Sequence, residues 1–148
     1  MLFSLVYITT RTIAPEYDFV YATEQVDSDV EVVFDDMAVP HIYANSEPDA
    51  MYALGYVHAM ERLWQMDLLR RAGAGELSAL FGRDMIENDK YLRSLGMRET
   101  AIRTVETLES TASPQVLEAM KAYLEGVNAF IETKELPFEY RLINAKPE

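Results

Sequence analysis

The run from Val39 to Arg71, VPHIYANSEPDAMYALGYVHAMERLWQMDLLRR, joins a proline-bounded strand signal to a capped helix that is apolar on every face. At 3.6 residues per turn, Ala50, Leu54, Val57, Trp64 and Leu68 form one stripe. Met51, Tyr52, Tyr56, Ala59, Leu63 and Met66 cover much of the remaining circumference. A surface helix carries a single apolar stripe, so a helix of this kind has to be surrounded by other polypeptide. The small residues Ala50, Ala53, Gly55 and Ala59 let a neighbouring element approach its backbone closely. The aromatic and sulfur-bearing residues Tyr52, Tyr56, Trp64 and Met66 read as core at helical spacing rather than as a ligand-stacking box.

The flanks give an order of elements. Leu2 to Phe34 is rich in Val, Tyr, Phe, Ile and Thr, broken at Ala14-Pro15, and predicts two or three strands. Val30, Val32 and Phe34 alternate along the last of them. Asp35-Asp36-Met37-Ala38 supplies a turn and Val39 to Tyr43 a return strand, together a hairpin. Ser46-Glu47-Pro48-Asp49 starts the long helix, with serine as cap, an early proline and an acid placed to complete a capping box. That helix is predicted from about Glu47 to Ala72, ending on Arg70 and Arg71 before Gly73 and Gly75. A short helix over Glu76 to Phe81 stops at Gly82, and Asp84 to Glu109 is helical with Gly96 as a possible interruption. Ser113-Pro114 opens an amphipathic helix to about Glu132. The fold class is α+β, with a β-rich strand and hairpin region over 1–45 and a helical region over 46–135. An extended, proline-punctuated tail over 136–148 follows, and the pattern suggests a chain that continues in a longer precursor.

Composition removes several classes of function. The 148 residues suffice for one domain with a real core, and the formal charge of −12 argues against nucleic acid and anionic membrane surfaces as partners. With no cysteine there is no disulfide, thiol nucleophile or thiolate metal site, and the redox compartment is left open. No segment has the apolar length needed to span a bilayer. The start, MLFSLVYITTR, has no positive residue ahead of its apolar run, and Tyr7 to Thr12 reads as a strand, so no secretory leader is expected.

Few residues carry a chemical signal. Asp27, Asp29, Glu31, Asp35 and Asp36 cluster but lack the glycine and glutamate spacing of a calcium loop, and read as a solvated strand edge. His58 and Glu61 stand three apart on one helix face, half of a carboxylate-bridged metal arrangement whose other half is missing. No metal site is expected. His41, after a proline, reads as a satisfied core histidine. Charges on a helix apolar all round must be paired or meet a polar partner surface, which singles out Arg62, Asp67, Arg70 and Arg71 beside Trp64. Asp67 is spaced three and four residues ahead of Arg70 and Arg71, the ion-pair geometry with the acid nearer the amino end. Arg62 has no such partner, and its guanidinium can lock the helix to a loop or to another chain; an exposed arginine on a helix edge is the equal alternative.

The segments PHIYA, GYVHAMERLWQMDLLRR and GELSALFG, in that order, resemble the amino-terminal part of the smaller chain of the penicillin acylase family, amidohydrolases of the N-terminal nucleophile type. The resemblance runs from Val30 to about Glu148 and is densest from Val39 to Gly82. It departs at Ala38, where the family usually has glycine, and at Met60-Glu61. It implies a partial piece of an αββα fold and hydrolysis of linear amide bonds of acylated amines. In that family the nucleophile is a serine made amino-terminal by self-cleavage, whose own α-amine acts as base. Met1 has no hydroxyl and the internal serines have no free amine, so no catalytic residue is expected in this chain. The resemblance also implies no cofactor here, the family's calcium site lying outside this stretch. It names as partner the larger catalytic chain, or the remainder of the same precursor, with self-association possible for this chain alone. Family members are commonly periplasmic or secreted; the sequence itself leaves the compartment unknown. The alternative, from a different class, is a non-enzymatic helical module that binds another protein through its apolar helix.

Overall fold

The computed structural model describes residues 17–133 and 136–147, so the strand read at Tyr7 to Thr12 lies outside the described residues. Between Tyr17 and Val30 the chain forms no strand, contrary to the β-rich reading. The aromatic residues that raised the strand propensity are used for ring packing instead. Tyr17 lies on Phe34 at 4.4 Å, while Phe19 and Tyr21 lie on Tyr56 at 6.0 and 5.1 Å.

The hairpin forms. Strand β1 (Glu31–Phe34) pairs antiparallel with β2 (Pro40–Tyr43), in the register Glu31 to Tyr43, Val32 to Ile42, Val33 to His41 and Phe34 to Pro40. Asp35 closes the turn. Its Oδ1 accepts the backbone N–H groups of Met37 and Val39, each at 2.9 Å, and its carbonyl accepts that of Ala38 at 2.8 Å. Ala38 takes φ 58°, so a residue with a Cβ occupies the left-handed position that a glycine fits more easily.

Among the described residues seven helical pieces follow: α1 (Glu47–Ala74), α2 (Ser78–Phe81), a 3₁₀ turn (Arg83–Met85), α3 (Ile86–Ser94), α4 (Met97–Thr111), α5 (Pro114–Thr133) and α6 (Phe138–Leu142). Ser46 Oγ accepts the Asp49 N–H at 3.2 Å, capping α1. At the other end Gly75, at φ 67°, reverses the chain while its N–H reaches Ala72 O and the Glu76 N–H reaches Arg71 O, a Schellman stop two residues beyond the expected end. Gly96, at φ 66°, separates α3 from α4. The tail read as extended contains α6, a correction taken up below.

The chain divides into two compact units. The first comprises residues 1–61 and 118–138. In it α1 and α5 run antiparallel with their backbones almost touching: a Cβ on Gly55 would lie 2.0 Å from Tyr123 O, and one on Gly126 2.0 Å from Tyr52 O. Each glycine thus offers a Cα–H to a carbonyl of the other helix. Ala53, Ala59, Ala119, Ala122 and Ala129 are buried with Tyr52, Tyr56, Val57 and Phe130, and the Phe130 ring meets Tyr56 edge-on at 5.6 Å. The second unit comprises residues 62–117 and 139–148. Its core is Leu63 and Tyr140, with Trp64 edge-on to Tyr140 at 5.1 Å and to Phe81 at 6.5 Å.

Candidate functional site

The charges singled out on α1 converge in the second unit. Asp67 is buried and its two oxygens are shared: Oδ1 accepts Arg70 Nη2 at 2.9 Å and Nε at 3.3 Å, while Oδ2 accepts Arg71 Nε at 3.0 Å and the Tyr140 hydroxyl at 3.1 Å. The Arg71 side chain is only 4% exposed, and its Nη2 donates to Lys146 O at 3.0 Å, so one carboxylate ties α1 to the tail through two donors. Arg70 also reaches Glu76, which pairs in turn with Arg98. A carboxylate with two guanidinium groups and a phenol is fully satisfied, which makes this node a brace rather than a reactive pair. Burial, and next the adjacent Asp67 charge, push the Tyr140 phenol well above its ordinary pKa.

Tyr140 escaped the sequence reading because its partner is 73 residues away and α6 is too short to show a period. Pro137 followed by an acid in the next turn was the available signal. Asp89, also buried, was missed too: its oxygens accept the N–H groups of Leu77 and Ser78, each at 2.8 Å, so a side chain from α3 caps α2. Burial raises its pKa, but the Ser78 hydroxyl, these two N–H groups and the nearby Arg93 outweigh that and hold the carboxyl below its usual value. Arg93 Nε donates to Gly75 O at 2.8 Å beside it.

The remaining candidates lie apart from this node in role. His41 is exposed and not a core residue, because it falls on the open face of the two-stranded sheet; its Nε2 lies 3.2 Å from Asp35 Oδ2. Arg62 is exposed and makes no ion pair among the described residues. In the first unit His58 Nδ1 lies 3.1 Å from Tyr123 OH and Glu61 accepts the Tyr17 hydroxyl at 2.7 Å, so the two are engaged separately. Asp49 accepts the Asp27 N–H at 2.9 Å and the Ser28 hydroxyl at 3.0 Å. The Asp27 bond first of all keeps its carboxyl below the ordinary value despite burial.

A cleft of about 530 Å³ opens in the first unit between the segment from Tyr21 to Gln25 and the α5 residues Glu125, Asn128, Ala129 and Glu132. Its charged side chains among the described residues are all carboxylates, with no histidine, lysine or arginine, so they offer no cationic anion clamp. Among the described residues no three His, Asp or Glu side chains gather in a way that could hold a metal ion. No described helix is long and apolar enough to cross a membrane.

Among the described residues the geometry defines braced helices and a hairpin. The family model described as penicillin amidase matches residues 29–148. The chain is 42% identical over 120 residues to penicillin acylase 2 proenzyme of Pseudomonas sp. (strain SE83), a match covering 80% of this chain and 15% of that protein. It is 33% identical over 109 residues to penicillin G acylase of Escherichia coli (74% and 12%), and 35% identical over 114 residues to the acyl-homoserine lactone acylase QuiP of Pseudomonas fluorescens (strain Pf0-1) (76% and 14%). Among solved structures it is similar to a thermostable penicillin G acylase from Alcaligenes faecalis, with a TM-score of 0.69 at 30% identity, covering 81% of this chain and 64% of that one. The chain belongs to the penicillin amidase family. It spans only 12–15% of the length of these curated relatives.

Proposed function

We propose that this chain is an amino-terminal scaffold part of an amide hydrolase, which cleaves linear amide bonds of acylated amines with a nucleophile supplied by polypeptide outside it. The observation that carries the reading is the family match over 29–148 to proteins named as acylases and several times longer. Two features of the chain support it. The hydroxyls of Ser28 and Ser46 are committed to holding Asp49 and capping α1. In the second unit buried Asp67 is matched to the guanidinium groups of Arg70 and Arg71, and buried Asp89 to two backbone N–H groups, which builds a frame and not a reaction centre. The nucleophile is a serine exposed by cleavage of a precursor, the partner is the larger remainder of that precursor, and calcium, where the enzyme holds it, binds outside this chain. Nothing observed favours a non-enzymatic binding module over this reading.

The test is the maturation of the full-length protein. Expression followed by intact mass and amino-terminal sequencing is expected to give two chains, the larger beginning with serine, and replacement of that serine by alanine is expected to leave one uncleaved chain. A full-length product that stays single while hydrolysing phenylacetyl amides would contradict the assignment of the nucleophile.

A further inference from the structure

The two edges of the hairpin are not equivalent. Asp35 N donates to Val39 O at 3.1 Å, which makes Asp35 and Val39 a hydrogen-bonded pair at the end of the ladder. Antiparallel pairing alternates, so Val33 with His41 and Glu31 with Tyr43 are hydrogen-bonded pairs, and Phe34 with Pro40 and Val32 with Ile42 are not. Residues of the second kind turn their backbone groups away from the partner strand. The outer edge of β2 therefore presents Ile42 in full but only a carbonyl at Pro40, which has no N–H. The outer edge of β1 presents a donor and an acceptor at both Val32 and Phe34, and among the described residues no backbone group pairs with them.

A two-stranded hairpin is marginal in water, and a third strand on a hydrophobic face is what such a pair lacks. One edge is blunted by proline and the other is left complete, as in proteins that direct pairing to one side. Resting on the reading that further polypeptide completes this protein, we propose that the β1 edge is the docking site for a strand from that remainder. The recognised segment is extended and apolar at alternate positions, matching the half-buried Val32 and Phe34 face. Basic residues flank it, opposite Asp29, Glu31, Asp35 and Asp36 at the two ends of β1.

Two prolines test this in the full-length protein. Val32→Pro and Ile42→Pro sit in the same non-hydrogen-bonded pair, so neither removes a bond of the hairpin and each imposes a similar backbone constraint. Val32→Pro is expected to lower the yield of folded protein by at least about tenfold, and Ile42→Pro by less than about threefold. Independently, hydrogen exchange at the Val32 and Phe34 amides is expected to be at least about a hundredfold slower in the full-length protein than in the 148-residue chain, with Ile42 alike in both. Equal effects of the two prolines, or equally fast exchange at Val32 and Phe34 in both proteins, would overturn the proposal. So would protection already complete in the 148-residue chain, which would assign the edge to the chain's own first residues or, where it varies with concentration, to a second copy. Protection without amide hydrolysis would sink the proposed function and leave this inference standing; hydrolysis with an unprotected edge would do the reverse.

Discussion

Ala38 holds a left-handed backbone at φ 58° because the turn around it is fixed from both sides, by the Asp35 carboxylate and by the Asp35 carbonyl. A side chain there costs about 1–2 kcal/mol, part of which glycine returns as unfolded-state entropy. Ala38→Gly is therefore expected to stabilise the chain by about 0.5–1 kcal/mol in urea titration, and Ala38→Val to destabilise it. The buried carboxyls set the acid limb. Asp49 and Asp89 have folded pKa values below those of the open chain, so each adds stability above about pH 4 that is lost as the pH falls through the folded value. Tyr140 acts in the opposite direction: its raised pKa adds stability below about pH 10 that is lost as the pH rises further. Thermal melts across pH are expected to show both limbs. Asp49→Asn should flatten the acid one and Tyr140→Phe the alkaline one; unchanged limbs would mean that these groups titrate as they do in the open chain.

Among the elements, the crossing of α1 and α5 is the most sharply determined. Gly55→Ala or Gly126→Ala drives a Cβ to 2.0 Å from a backbone carbonyl, which cannot move aside as a side chain can. A helical glycine replaced by alanine gains about 1 kcal/mol in propensity, but the clash outweighs it, and a net loss of about 3 kcal/mol is expected for either substitution. Gly73→Ala, in the same helix with nothing near its Cβ position, is the matched control and should stabilise by up to about 1 kcal/mol. This part of the fold was legible. Ser46, Gly75, Gly96 and Pro114 mark helix ends through local backbone chemistry, and Gly55 and Ala59 announced a close approach without saying what approaches. The illegible parts are those set by distant partners. Nothing near Tyr140 signals Asp67, nothing near Leu77 signals the Asp89 cap, and the aromatic residues of the segment from Tyr17 to Tyr21 look the same whether they enter a ladder or cover a helix. His41 was misplaced for a related reason: a period of two assigns a face to each strand residue but does not say which face is covered.

Taken whole, the chain carries its charge unevenly and leaves apolar surface unused. No lysine or arginine occurs between Tyr17 and Glu61, and the first unit bears the whole net charge of −12, while acids and bases balance in the second. Splitting the sequence into halves hides this, because α5 returns to the first unit with three more glutamates, Glu118, Glu125 and Glu132. Helix α4 contains no buried residue although Met97, Ile102 and Val105 are large and apolar, the last two more than half exposed. Surface of this kind seldom stays bare on a finished protein. Together with the small share of each relative that the chain covers, it supports the proposal of a scaffold completed by further polypeptide. Hydrolysis of a phenylacetyl chromogenic amide, measured side by side for the 148-residue chain and for the full-length protein at equal concentration, tests that account most directly. Release by the full-length protein with the shorter chain at the rate of buffer is the predicted result; turnover by the shorter chain alone would contradict it.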